Sequence, residues 1–155
     1  MKDEAITPMP QLQLENQLCF TIYACSREIT KLYQPYLDKL GVTYSQYLVL
    51  LVLWERGSCT VSQLGEALYL DSGTLTPLLK RIQTAGLIVR ERSIQDERKV
   101  IITLTEAGLK LRDKAQSIPE SMQKDICISS EEFNDLLTQF NHLLERVHET
   151  NRKHK

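Results

Sequence analysis

The sequence contains no apolar run that could cross a membrane. A spanning helix needs about 20 apolar residues, and the longest candidate run, residues 47–54, is a short helix core. The opening segment, MKDEAITPMPQ, carries early acids and lacks the apolar stretch of a signal peptide. We therefore expect a cytoplasmic protein that does not associate with membranes.

Motifs for metal ligation are also missing. The four cysteines (Cys19, Cys25, Cys59 and Cys127) form no C-x-x-C pair, and the three histidines all lie near the C-terminus. We therefore expect no metal or other cofactor, and reduced thiols rather than a disulfide framework. Repeats and low-complexity segments are absent too, so residues 1–155 are predicted to form one domain.

The most informative stretch is residues 60–105. Thr60 and Gln63 have the spacing of a capping box, which predicts the start of a short helix. Asp71 and Ser72 should end that helix and cap a second one, which Gly86 should end. The buried side of this second helix is predicted to consist of Leu75, Leu78, Leu79 and Ile82.

A basic hairpin should follow this helix pair. Two β-branched runs, residues 88–92 and 100–104, flank the polar segment SIQDER. Two helices followed by such a hairpin predict a winged helix-turn-helix, which inserts its second helix into the major groove of DNA. Residues 72–103 hold six basic and three acidic side chains, although the whole chain has a net charge of −1. A solvated charged face is the alternative, but the local cations favour double-stranded DNA as the partner.

The segments before this lobe are predicted to be helical. Residues 1–11 show no periodicity and are interpreted as a loose arm. Residues 12–39 form a helical pattern that Pro35 should kink or restart and Gly41 should end. Thr43 with Gln46 then predicts the cap of a helix over residues 44–55.

The C-terminal segment predicts a dimer. Thr105 should cap a helix, Pro119 should break it, and Ser129 with Glu132 predicts a further capping box. The apolar stripe that follows consists of Phe133, Leu136, Leu137, Phe140, Leu143, Leu144 and Val147. We expect residues 12–55 and 105–149 to be dimerisation helices, and residues 56–104 to be the DNA-binding lobe; packing within one chain is the alternative.

Several strings in the sequence carry a family resemblance. The order of elements, the D-E-R of the wing (residues 96–98) and the L-T-E-A-G that follows it (residues 104–108) resemble the MarR family of dimeric repressors. The string LDSGTLTPLLKR (residues 70–81) is similar to the organic-hydroperoxide-sensing OhrR branch of that family. The resemblance implies a mainly α fold with a small β wing, dimerised through its N- and C-terminal helices.

Candidate DNA contacts come from both parts of the lobe. A helix N-terminus and its hydroxyls suit phosphate and base-edge contacts, and an arginine at a wing tip suits the minor groove. The resemblance also implies a salt bridge in which Asp96 holds the Arg98 guanidinium. The candidate DNA-binding residues are Ser72, Thr74, Thr76, Pro77, Lys80, Arg81, Arg98 and Lys99.

Cys19 is the candidate redox sensor. Alone it would be interpreted as a small buried residue two turns into the first helix, but Tyr23 lies on the same face at i+4. The resemblance makes Cys19 the peroxide-sensing thiol and places Tyr33 and Tyr44 at the positions that stabilise it across the dimer. It also suggests Cys127 as the resolving thiol, with an external small thiol as the alternative. Cys25 and Cys59 are interpreted as structural.

The leading hypothesis is a repressor that leaves a pseudo-palindromic operator when an organic hydroperoxide oxidises Cys19. One alternative is a repressor that answers to a small aromatic ligand without redox chemistry. The other is a thiol peroxidase, although no arginine or acid partner for such catalysis is evident near Cys19. We therefore expect a regulator rather than an enzyme.

Overall fold

The computed structural model describes residues 9–154. Two 3₁₀ turns (Pro10–Leu12 and Leu14–Asn16) precede seven α-helices and three short β-strands. The helices are α1 Leu18–Leu40, α2 Tyr44–Arg56, α3 Val61–Leu68, α4 Ser72–Thr84, α5 Glu106–Ala115, α6 Ile118–Ile126 and α7 Ser130–Lys153. The strands are β1 Ser58–Thr60, β2 Ile88–Arg92 and β3 Val100–Leu104. The predicted mainly α fold with a small β wing is confirmed.

The first helix differs from its prediction at two points. It begins at Leu18 rather than at residue 12, so Cys19 lies in its first turn and not two turns along. It then runs without interruption through Pro35, so the predicted restart near Tyr33 is wrong. Pro35 is exposed, and water can therefore satisfy the carbonyl that loses its helical partner. Most of the predicted loose arm, residues 1–8, lies outside the described residues.

Local capping fixes most other boundaries. Thr43 with Gln46 and Thr60 with Gln63 both form reciprocal capping boxes. Ser129 caps α7 by accepting the N–H of Glu132 at 3.1 Å. Gly41 has a φ of 70° at the end of α1, a left-handed conformation that favours glycine.

The wing contains one strand more than the predicted hairpin. β2 and β3 pair antiparallel with Ile88 opposite Leu104. β1 pairs with the other edge of β3, with Cys59 opposite Ile102, which gives the strand order β1-β3-β2. Cys59 is therefore a strand residue whose side chain is buried.

The L-T-E-A-G segment fastens α5 to the start of the wing. Thr105 donates its hydroxyl to the carbonyl of Gly86 at 2.6 Å and its N–H to the carbonyl of Leu87 at 3.1 Å. Trp54 donates its indole N–H to the carbonyl of Gly108 at 3.0 Å. A Cβ on Gly108 would lie 2.1 Å from the Leu87 oxygen, so only glycine permits this close approach.

Apolar side chains from α2, α3, α4 and the sheet form the main hydrophobic core. The largest fully buried ones are Leu50, Leu53, Leu64, Leu75, Leu79, Ile82, Ile88, Ile102 and Val49. All belong to the first of two compact units, residues 1–113 and 114–155. The predicted division into dimerisation helices and a DNA-binding lobe stays a prediction.

The second unit contains the predicted break and the predicted stripe. Pro119 lies in the first turn of α6, so the break after α5 is confirmed. α7 has no buried residue in the single chain, and Phe140 at the middle of its stripe is 47% exposed. α7 extends to Lys153, so the tail is helical rather than frayed up to that residue. No helix in the described part of the chain is long and apolar enough to span a membrane.

Candidate DNA-binding surface and redox site

The start of α4 is organised by Asp71. Its carboxylate accepts the backbone N–H of Thr74 at 2.8 Å and the Thr74 hydroxyl at 3.2 Å. The backbone N–H of Thr74 is the main cause that lowers the pKa of Asp71, so the carboxylate is ionised at neutral pH. This cap fixes the first turn of α4, which contains two of the predicted DNA contacts, Ser72 and Thr74.

The two sides of α4 differ in burial: one packs into the core, and the other is exposed to solvent. Leu75, Leu79 and Ile82 are buried, as the periodicity predicted, whereas Leu78 is only half-buried. At 100° per residue, the direction opposite this stripe carries Pro77 and Lys80. All six candidate DNA contacts on the helix are exposed: Ser72, Thr74, Thr76, Pro77, Lys80 and Arg81.

Thr76 and Pro77 show how this helix accommodates unfavourable residues. The Thr76 hydroxyl donates to the carbonyl of Ser72 at 2.7 Å, which leaves its oxygen lone pairs free to accept a hydrogen bond. Pro77 lies inside α4 without ending it. The Thr76 hydroxyl is therefore oriented by a bond within α4, and the helix stays continuous through Pro77.

Asp96 holds the turn at the wing tip, but its observed partners differ from the predicted one. Its carboxylate accepts the backbone N–H of Arg98 at 3.1 Å and lies 3.8 Å from the Lys99 ammonium. The predicted salt bridge to the Arg98 guanidinium is not among the ion pairs of the described residues. A backbone bond within a tight turn requires only two residues of separation, whereas the long Arg98 side chain is free to extend into solvent.

Cys19 lies in the first turn of α1 and is exposed in the single chain. Tyr23, one turn further on, is also exposed, and the Arg27 guanidinium carbon lies 5.4 Å from its ring centre. Cys25 is also exposed on this helix in the single chain, and its structural role stays a prediction. Six helical residues rise about 9 Å, which exceeds the roughly 7 Å limit between Cα atoms of a disulfide. Cys25 therefore cannot bridge to Cys19 of its own chain while α1 stays helical.

Tyr33 and Tyr44 form an aromatic cluster where α1 packs on α2. Their ring centres lie 4.9 Å apart, and Tyr47 lies 5.9 Å from Tyr33. Burial is the main cause that raises the pKa of Tyr33 to about 12, with smaller contributions from the two neighbouring tyrosines. Burial likewise raises the pKa of Tyr44 and of Tyr47. These phenols are therefore neutral hydrogen-bond donors throughout the physiological pH range.

The two remaining cysteines differ in accessibility. Burial raises the pKa of the Cys59 thiol, although Arg56 opposes this effect. Its low exposure suits the predicted structural role. Cys127 is exposed and ends α6 in a left-handed conformation with a φ of 59°. Its thiol donates to the carbonyl of Lys124 at 3.4 Å.

Comparisons with known proteins identify the family to which this fold belongs. A family model described as transcriptional regulator SarA/Rot matches residues 31–115. The organic hydroperoxide resistance transcriptional regulator of Bacillus subtilis is 54% identical over 140 residues, which cover 90% of this chain and 95% of that protein. The chain belongs to the MarR/SarA-type family of winged-helix transcriptional regulators.

Solved structures of this regulator family agree with the assignment. Reduced AbfR bound to DNA is 39% identical, covers 90% of this chain and 96% of its own, and superposes with a TM-score of 0.77. AbfR with its disulfide formed is 41% identical, covers 86% and 94%, and gives a TM-score of 0.58. AbfR is a protein of Staphylococcus epidermidis. The predicted family and its role in transcriptional regulation are confirmed.

Three residues adjoin the candidate sites but were not among the predicted site residues. The Arg90 Nε is the only buried side-chain nitrogen or oxygen without a hydrogen-bond partner in the described part of the chain. Thr84 continues the exposed line of Pro77 and Lys80, and Tyr47 completes the tyrosine cluster. The charge pattern of the sequence already included Arg90, and helical periodicity could have identified Thr84. The position of Tyr47 could not be predicted, because it depends on how α1 packs against α2.

Proposed function

We propose that this chain is a dimeric repressor that leaves its operator when an organic hydroperoxide oxidises Cys19. The observation that carries the proposal is the exposed thiol of Cys19 in the first turn of α1. It stands in a chain that is 54% identical to an organic hydroperoxide resistance regulator. Operator binding also implies the cytoplasmic setting expected from the sequence.

The DNA contacts follow from the two exposed parts of the lobe. α4 enters the major groove with Ser72, Thr74 and Thr76 near phosphates and base edges. Lys80 and Arg81 neutralise phosphates one to two turns later. Arg98 reaches the minor groove from the wing tip, where the negative potential favours arginine. Lys99 and the unpartnered Arg90 provide further positive charge.

A dimer is supported by the distance between the sensor residues. Cys19 and Tyr33 lie on one uninterrupted helix, and fourteen residues of α-helix rise about 21 Å. A tyrosine side chain does not reach that far, and the Tyr44 ring centre lies 4.9 Å from that of Tyr33. A hydrogen bond from either phenol to Cys19 therefore requires the thiol of a second copy. The exposed stripe on α7 offers an apolar surface for such a partner.

The proposed chemistry is a two-electron oxidation of sulfur. The Cys19 thiolate attacks the terminal oxygen of the hydroperoxide, the O–O bond breaks, and the leaving alkoxide takes a proton to become an alcohol. Sulfur is thereby oxidised to a sulfenic acid. A second thiol then displaces the hydroxyl group as water and forms a disulfide. Each protomer reacts once per cycle, so the chain acts as a sensor and not as an enzyme.

Operator binding before and after treatment with cumene hydroperoxide tests the redox switch. The probes are the wild type, Cys19→Ser, and Cys25→Ser as a matched control on the same helix. We expect all three reduced proteins to bind, and only Cys19→Ser to stay bound after oxidation, because serine forms no sulfenic acid. If wild type and Cys19→Ser are released equally, Cys19 is not the sensor and a ligand-responsive repressor becomes the better account.

The tyrosines have their own test. Tyr33→Phe and Tyr44→Phe each remove one proposed donor to sulfur and should slow release while preserving DNA affinity. Tyr47→Phe is the matched control, because it belongs to the same cluster but is not a proposed donor. Equal slowing by all three substitutions would assign the effect to aromatic packing. Tyr23→Phe tests the remaining candidate, which lies one turn from Cys19 in the same chain.

Cys127 is the proposed resolving thiol. Its exposure at the joint between α6 and α7 supports this role, since a bridge needs a thiol that can move towards its partner. Oxidised wild type should run as a covalent dimer on a non-reducing gel if the bridge crosses subunits, and Cys127→Ser should not. If Cys127→Ser still crosslinks, or is still reversibly released without an added thiol, a different thiol resolves Cys19.

A further inference from the structure

The wing tip presents one fully solvent-exposed apolar side chain. Ile94 has a relative exposure of 102%, and it is the only apolar residue in the segment SIQDERK between β2 and β3. Single apolar residues are common on protein surfaces. Ile94 differs because the surrounding loop holds it away from the chain.

Hydrogen bonds fix the backbone on both sides of Ile94. The Ser93 hydroxyl accepts the N–H groups of Gln95 at 3.3 Å and Asp96 at 3.4 Å. Ser93 donates its N–H to the carbonyl of Lys99 at 2.8 Å, and Lys99 donates its own to the carbonyl of Asp96 at 2.9 Å. These bonds hold the backbone around Ile94 in a tight loop, in which its side chain is fully exposed. A β-branched side chain in a fixed loop also loses little conformational entropy when it is buried.

The charges around Ile94 indicate the partner. Arg92 and Arg98 are exposed on either side of it, whereas the Asp96 carboxylate is occupied by the Arg98 N–H and the Lys99 ammonium. β2 is an edge strand of the sheet, and Arg90 and Arg92 on that edge repel a second wing. An apolar tip between cations is complementary to the minor groove, where apolar side chains contact sugars and base edges between two rows of phosphates.

We propose that Ile94 is a DNA-binding residue that inserts into the minor groove beside Arg98. This inference rests on the proposed operator binding and adds an apolar contact to it. Arg98 supplies attraction to the phosphates, and Ile94 supplies surface that leaves water on binding. The two contributions differ in their dependence on salt, because only the cation releases counterions.

Fluorescence anisotropy of an operator duplex, at several salt concentrations and with reduced protein, separates these contributions. Ile94→Ala should weaken binding about five- to tenfold, as expected for losing roughly half the burial of three carbons. The slope of log K against log salt should not change. Ile94→Leu should stay within about twofold of wild type. Arg98→Ala should weaken binding and also reduce the salt slope by about one.

Val89→Ala is the matched control, because Val89 is an exposed apolar residue of the same wing but lies outside the tip loop. We expect it to bind within about twofold of wild type, and all variants to keep the wild-type melting temperature. Unchanged affinity of Ile94→Ala overturns the inference, and so does a salt slope that falls as in Arg98→Ala. A change in the mass of the DNA-free protein would instead identify Ile94 as a contact between copies. Failure of the wild type itself to bind DNA would overturn the proposed function.

Discussion

Gly108→Ala tests the contact that joins α5 to the wing. The new Cβ would lie 2.1 Å from the carbonyl oxygen of Leu87 and 3.1 Å from a methyl group of Leu104. The first of these neighbours is backbone and cannot rotate away. Either the Leu87 carbonyl moves and loses the N–H of Thr105, or α5 moves and loses the indole N–H of Trp54.

The magnitude follows from three contributions. Overpacking costs about 1 to 3 kcal/mol, and a lost hydrogen bond costs about 1 kcal/mol. The higher helix propensity of alanine returns about 1 kcal/mol. We therefore expect Gly108→Ala to lower the free energy of unfolding by about 2 kcal/mol, or the melting temperature by roughly 4 to 8 °C for a chain of this size.

Thermal unfolding at one fixed protein concentration is the measurement, since a dimer melts in a concentration-dependent manner. Gly73→Ala is the matched control: it is the same substitution in the first turn of a helix, but its Cβ meets only the Asp71 carboxylate at 3.0 Å. It should stay within about 1 kcal/mol of wild type, because a side chain can shift. A melting temperature of Gly108→Ala at or above wild type would refute the reasoning. Trp54→Phe should cost less in the Gly108→Ala background if α5 is the part that moves.

Three further predictions concern single residues. Thr60→Ala removes a capping box and should lower the free energy of urea unfolding by about 1 kcal/mol. Cys127→Gly should raise it by about 1 kcal/mol because the left-handed conformation is unfavourable for other residues, whereas Cys127→Ser should leave it unchanged. The pKa of Tyr33 is raised from 10.0 to about 12, so the unfolded chain releases this proton first and stability falls as pH rises through that window. Tyr33→Phe should show a smaller fall in urea titrations over the same range.

The sequence predicted best those features whose causes are local. Thr43 and Thr60 each sit three residues before a glutamine, and both form the expected boxes. The strands 88–92 and 100–104 agree with the prediction because β-branched runs and a polar loop lie together in the sequence. For Cys59 the sequence predicted either a short strand edge or a loop, because three residues show no periodicity and the pairing of β1 with β3 depends on residues more than forty positions away.

At the candidate site, the exposure of the α4 residues could be predicted from the sequence, but the partner of Asp96 could not. The exposed face of α4 follows from helical periodicity, which also identified its buried side. Helical periodicity does not predict the partner of Asp96, because a carboxylate in a tight turn can pair with Arg98, Lys99 or a backbone N–H group. Pro35 shows the same limit, since whether a proline ends a helix depends on packing and solvent access around it.

A contiguous set of contacts leads from the tyrosine cluster to the wing within residues 9–113. Tyr33 of α1 packs on Tyr47 of α2, Tyr47 meets Trp54 edge-on at 6.1 Å between ring centres, and Trp54 holds the carbonyl of Gly108. Gly108 in turn lies against the carbonyl of Leu87, directly before β2. These contacts connect α1, α2, α5 and the base of the wing in one packed series. The glycine of the L-T-E-A-G string thus allows α5 to lie close to the start of the wing.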